Sequence, residues 1–206
     1  MNKNFLMQIF NENQNLLYTL NNNQYLKKEL FGVLKSIESL IPEDCRQNFY
    51  TNLKTLRLNI SYTTEFGGNV SGLYNGKNNE IFINKNMLDK LSQNDSVQDL
   101  EKLKDVVLMT IYHELLHMAS TTRDEKTNHY VSGFQHIERD KNGEFLYSED
   151  FQGMTEGFTE KLTMLAFGRK TFESTSEYGR QMNLVEQLYQ LIELETMKRA
   201  YFNNKN

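Results

Sequence analysis

The chain has 206 residues, 38% of them hydrophobic, a net charge of −4 at pH 7 and one cysteine, Cys45. That length supports one buried core, and the scattered lysines and arginines form no basic stripe, which argues against a nucleic-acid partner. A lone cysteine excludes an internal disulfide and a cysteine-rich metal site, and no apolar run approaches the roughly 20 residues that span a bilayer, so no membrane partner is expected.

At the start, Lys3 precedes an apolar stretch interrupted by Asn4 and Gln8, which does not read as a secretion signal. The expected location is the cytoplasm, with secretion by a non-standard route left open. Phe5, Leu6, Ile9, Phe10, Leu16, Leu17 and Leu20 predict an amphipathic helix that loses definition at Asn21-Asn22-Asn23. A second helix runs from Tyr25 through Leu40 and stops at Ile41-Pro42, because proline fixes φ and restricts the residue before it. A third is expected over Arg46 to Leu56. Apolar stripes at helical spacing usually face a core, although a partner or substrate platform is an alternative use of this segment.

From Leu58 the period changes to two. Leu58, Ile60 and Tyr62 alternate with polar residues, and Val70 to Tyr74 is expected to pair with Glu80 to Asn84 across a loop containing Asn75-Gly76, as a β-hairpin. The longest helical pattern follows. It begins near Val97, with Leu100, Leu103, Val106, Val107, Leu108, Ile111, Leu115 and Leu116, and it carries His113-Glu114-Leu115-Leu116-His117.

On a helix, His113 and His117 fall one turn apart on one face, with Cβ atoms roughly 5–6 Å apart, so both imidazoles can bind one metal ion. Two nitrogen donors suit a zinc site that keeps a position open for water. Glu114, beside that water, can take its proton and later deliver it to a leaving amine. With one such motif and no second cluster, one zinc per chain is expected. Burying two unpartnered imidazoles in an apolar helix would be costly, which weighs against a chance arrangement.

A further segment, Thr155-Glu156-Gly157-Phe158-Thr159, sharpens this reading. Together with His113-Glu114-x-x-His117 it resembles the zincin metallopeptidases of the gluzincin branch, whose aminopeptidase members often write Asn-Glu-Gly-Phe-Ala there. The resemblance implies Glu156 as third metal ligand and Glu160, one turn later, as the acid that hydrogen-bonds a ligating histidine, where gluzincins commonly carry Asp. It also implies that a strand upstream of the metal helix binds substrate backbone at its edge. Glu80, Ile81, Phe82 and Ile83 are the candidates for that edge, with an interior strand as the alternative. Tyrosine or histidine stabilises the oxyanion in related enzymes, and Tyr178 is the candidate here, against an ordinary amphipathic tyrosine at a helix start. The metzincin pattern is excluded because positions 120 and 123 are Ser and Arg.

The gap from His117 to Glu156 is longer than in thermolysin-like enzymes and implies an insertion. Tyr130 to Phe134 and Glu144 to Tyr147, joined through Lys141-Asn142-Gly143, read as strands around a turn. His129 and His136 lie here, each a possible ligand or donor but more commonly a solvent-facing loop residue. The Glu156 helix should run to Gly168, and Leu184 to Leu194 should form another amphipathic helix, with the end after Phe202 frayed.

The expected architecture is α+β and zincin-like: a small mixed or antiparallel sheet on a helical core. One unit spans 1–206, with a helical segment over 1–57 and a catalytic core over 58–202. Its expected function is zinc-dependent hydrolysis of a peptide or protein substrate. The alternatives are a non-catalytic or regulatory zincin-fold binding protein and a toxin-type metalloprotease. Nothing in the sequence fixes the oligomeric state.

Overall fold

The long amphipathic pattern at the N-terminus folds as two helices, α1 (Phe5–Glu12) and α2 (Gln14–Asn21), because Asn13 interrupts it. Its Oδ1 accepts the Leu16 amide at 3.0 Å and caps α2, while its Nδ2 donates to Leu53 O at 2.8 Å and Leu56 O at 2.9 Å. A buried asparagine thereby exchanges helix continuity for three hydrogen bonds. Asn23 caps α3 (Gln24–Leu40), and Ile41 leaves the helix in an extended conformation before Pro42, as expected of a residue preceding proline. A 3-10 turn at Glu43–Cys45 leads into α4 (Arg46–Thr55). The computed structural model describes residues 5–62, 70–93, 97–123, 130–139, 145–147, 151–168 and 179–203.

Three strands follow: β1 (Arg57–Ser61), β2 (Gly72–Asn75) and β3 (Glu80–Asn84). The β2–β3 hairpin forms as expected, with Gly72 opposite Ile83 and Asn75 opposite Glu80. β1 then pairs in parallel on the other side of β3, Arg57 opposite Glu80, giving the order β1-β3-β2. This corrects one expectation. Glu80, Ile81, Phe82 and Ile83 sit in the central strand, bonded on both sides, and present no free edge. Ile81 and Ile83 are buried on the helical face, and a strand with two core isoleucines gains most from the middle of the sheet. The outer strands are β1 and β2, and it is β2 that borders the cleft described below.

Helix α5 (Lys85–Gln93) precedes α6 (Val97–Ser120), whose C-terminus passes directly into β4 (Thr121–Arg123). β4, β5 (Tyr130–Ser132), β6 (Gln135–Arg139) and β7 (Phe145–Tyr147) form an antiparallel meander in chain order. The expected turn at Lys141-Asn142-Gly143 lies outside the described residues, between the paired strands β6 and β7.

Helix α7 (Gln152–Phe167) ends at Gly168, which takes the left-handed conformation at φ 78° and lets its amide close the last turn. The helix expected over Leu184 to Leu194 is instead α8 (Gly179–Tyr189) and α9 (Leu194–Asn203), separated by a turn in which Leu191 is 82% exposed. One hydrophobic core runs through the whole assembly, from Leu16 and Leu34 through Phe49 and Ile111 to Phe158 and Phe202. Helix α6 is at its centre, touching α3, α4, α7, α9 and both sheets. The architecture is α+β.

Candidate metal centre

Helix α6 buries Val107, Ile111, Leu115 and Leu116 in the core, which fixes its rotation and turns His113 and His117 toward α7. The two imidazole Nε2 atoms lie 3.1 Å apart. Helix α7 brings Glu156 Oε2 to 3.2 Å from His113 Nε2 and 3.3 Å from His117 Nε2. Gly157 makes that placement compatible with the packing of α8: a Cβ there would come within 2.6 Å of the Gln181 backbone on that helix.

These three atoms form a nearly equilateral triangle. Donors held about 2.0–2.1 Å from a tetrahedral zinc are about 3.3 Å from one another, so the triangle has the size of one face of a zinc tetrahedron. His113 Nδ1 lies 3.2 Å from Glu160 Oε2, so a proton there is donated outward and the Nε2 lone pair faces the triangle. No other His/Cys/Asp/Glu group among the described residues clusters in this way.

The electrostatics carry the same information. Burial opposes a charge on His113, but hydrogen bonds to Glu156 and Glu160 outweigh it and lift the pKa to about 10. Burial also pushes Glu156 upward, yet His117 and His113 reverse the sign and hold its carboxyl below the ordinary range. The metal-free site draws a proton onto an imidazole to balance its carboxylates. A divalent cation supplies positive charge at the same point, and the donor set therefore fits a metal ion.

Glu114 lies beside the triangle without joining it. It is 7% exposed, and the backbone of Tyr74 on β2 approaches its carboxylate. Burial raises its pKa against the pull of His113 and His117. The approach of β2 to α6 depends on Gly72, where a Cβ would meet Thr110 Cγ2 at 2.5 Å and Glu114 Cγ at 3.1 Å. Because the Asn84 amide donates to Ser71 O at 3.0 Å, the antiparallel alternation turns the backbone groups of Leu73 and Asn75 toward β3 and those of Gly72 and Tyr74 outward. Between this edge, the metal triangle and the second sheet lies a cleft of about 310 Å³, lined also by Tyr130, Ser132, Gln135 and Gln152.

A shell of hydrogen bonds fixes the frame. Thr121 Oγ1 donates to His117 O at 2.7 Å, and Asn52 Nδ2 donates to Met118 O at 2.8 Å and Thr121 O at 2.7 Å, holding the last turn of α6. Arg123 donates to Gly76 O at 2.6 Å, Asn52 Oδ1 at 2.7 Å and the Tyr74 hydroxyl at 2.5 Å, tying the β2–β3 turn to the second sheet. The β5–β6 turn is fastened to both donor helices: the Gly133 amide donates to Ser120 Oγ and the Phe134 amide to Thr155 Oγ1, each at 3.1 Å.

Of the residues singled out in the sequence, His113, Glu114, His117, Glu156 and Glu160 come together here. Tyr178 and His129 lie outside the described residues, and His136 is described only by its backbone in β6, opposite Val131. The sequence reading missed Gly72, Tyr74 and Gln135. A glycine inside a strand pattern signals close backbone approach and could have identified Gly72; no local signal marks the others.

No curated protein and no solved structure gives a match to this chain. A family model described as metallopeptidase toxin 3 matches residues 11–152, more than two thirds of the 206 residues. The matched span includes His113, Glu114 and His117 and ends just before Glu156. With a donor triangle of zinc-face dimensions and this match across most of the chain, the protein belongs to the metallopeptidase toxin 3 family.

Proposed function

We propose that the protein is a zinc-dependent peptidase of the gluzincin type, in which His113, His117 and Glu156 hold one zinc ion and Glu114 is the general base and acid. The observation that carries this reading is the separation of roles in space: three donors on a triangle of 3.1–3.3 Å, and a fourth buried group, Glu114, on the same cleft but outside it. When bound, zinc polarises the scissile carbonyl and lowers the pKa of water.

The chain's own residues supply the rest. Glu114 takes the proton of the attacking water and returns it to the departing amine nitrogen, a task suited to a carboxyl raised by burial. Glu160 holds His113 in the tautomer that leaves Nε2 free. Substrate backbone adds to the outer edge of β2, where Gly72 and Tyr74 turn their backbone groups away from β3. The exposed Val70 and Leu73 at the same edge give the cleft an apolar rim. The family's description as a toxin favours protein substrates and a toxin-type protease.

The test is digestion of a mixed peptide library by the zinc-loaded protein, read by mass spectrometry. Cleavage should stop on chelation and return with zinc. A fully zinc-loaded protein that cleaves nothing across a broad library would contradict the reading and point to a binding protein.

A further inference from the structure

Gln135 is 8% exposed, lines the cleft, and forms no hydrogen bond through its carboxamide among the described residues. Its donor and acceptor are therefore left to whatever occupies the cleft beside the metal triangle. Its position is also fixed. It opens β6, pairs with Ser132 across a two-residue turn, and that turn is hydrogen-bonded to Ser120 at the end of the His117 helix and to Thr155, the neighbour of Glu156. Gly133 at the turn has φ 59° and stands where a Cβ would meet Tyr201 and Thr155, which leaves the turn little freedom.

We infer that Gln135 binds substrate backbone, donating its carboxamide N–H to a peptide carbonyl oxygen and accepting a peptide N–H. An extended peptide has two polar edges. In the proposed peptidase reading, on which this inference rests, one edge is satisfied by Gly72 and Tyr74 of β2, and the other faces the second-sheet wall of the cleft. A carboxamide carries one donor face and one acceptor, the same pair a peptide unit presents, so Gln135 can complete that second edge without regard to side-chain sequence. Its neighbours on the second-sheet wall are otherwise engaged: Ser132 Oγ bonds Thr121 at 3.1 Å, and the ring of Tyr130 packs where a Gly76 Cβ would stand. The substrate class this defines is an extended, unfolded segment recognised through its backbone.

The experiment uses the zinc-loaded full chain and Gln135→Met, a near-isosteric change that removes the amide. Because the carboxamide has no partner among the described residues, the variant should keep its zinc content and melting temperature. The probe is the hydroxamate of N-acetyl-glycyl-leucine, which anchors on the metal and carries peptide groups into the cleft. One side-chain NH2 pair in the 15N–1H spectrum, identified by its loss in Gln135→Met, should shift on binding. The variant should bind the probe about tenfold more weakly and lose about tenfold in library cleavage, mainly through KM, the scale of one neutral hydrogen bond. Equal probe affinity in both proteins with an unmoved amide pair would overturn the inference while leaving the peptidase reading intact. A shifted amide and weakened probe binding without any peptide cleavage would support the role of Gln135 and defeat the peptidase reading. Absence of probe binding to the zinc-loaded wild type would overturn both.

Discussion

Glu156 and Glu160 stand one turn apart on α7 and meet the same imidazole from opposite sides, one at Nε2 and one at Nδ1, both at 3.2 Å. Glu156→Ala removes a donor from the triangle, whereas Glu160→Ala removes only the anchor of a ring that still faces it. Zinc titration should therefore show Glu156→Ala the more damaging, with Glu160→Ala costing about 10–100-fold in affinity or activity. The reverse order would make Glu160 the ligand. The site's protonation gives a second residue-scale prediction. His113 rises from an ordinary 6.5 to about 10 in the metal-free fold, so its contribution to stability is full below pH 6.5 and is lost as pH climbs through about 10. Glu156 is depressed from 4.5, so its contribution is present above pH 4.5 and is lost as pH falls. Chelated protein should be most stable near pH 4.5–6.5 as far as this pair is concerned and should melt lower from 6.5 toward 10. In the proposed centre zinc would displace the His113 proton, so the zinc-dependent gain in melting temperature should grow with pH over that interval. A gain that shrinks with pH would contradict the assignment of His113 as a ligand.

At the scale of elements, the cleft depends on how closely β2 approaches α6. Gly72→Val would drive a branched side chain into Thr110 and Glu114, and overpacking of this kind costs about 1–3 kcal/mol. Denaturant melting should register that loss, and peptide cleavage by the zinc-loaded, folded variant should fall further than its zinc content. Unchanged cleavage would remove the β2 edge from the substrate site. The elements also show what a sequence can disclose. His113, Glu114 and His117 were legible because their relation is local, fixed by one helical turn, and Glu156 and Glu160 by the same spacing together with a family resemblance. The Pro42 and Gly168 helix ends were legible from backbone chemistry. Strand order was not: alternation identifies Glu80–Asn84 as a strand, but β1 reaches it by a parallel pairing across some twenty residues of chain, which no local pattern encodes. The break at Asn13 depends on carbonyls about forty residues away, and the α8–α9 boundary on a turn whose exposed Leu191 and Ile192 mimic a helical stripe.

For the whole molecule, α6 is both the centre of the core and the carrier of two of the three candidate donors, so a metal held at the proposed centre would couple binding to folding. A ligand that binds only the folded state stabilises it by about 4 kcal/mol at a thousandfold excess over Kd, and calorimetry of zinc-loaded and chelated protein should show the loaded form melting higher. Equal melting temperatures would place the metal elsewhere or nowhere. The central claim, that Glu114 is the proton-transfer group of a metal-dependent peptidase, is tested most directly by Glu114→Gln. The amide is nearly isosteric, and Glu114 lies outside the donor triangle, so the variant should fold and bind one equivalent of zinc. Mass spectrometry of a mixed peptide library digested by the zinc-loaded wild type and variant should show turnover reduced about 10²–10⁴-fold, the range of general acid–base catalysis. Cleavage by the zinc-loaded variant at the wild-type rate would contradict the account.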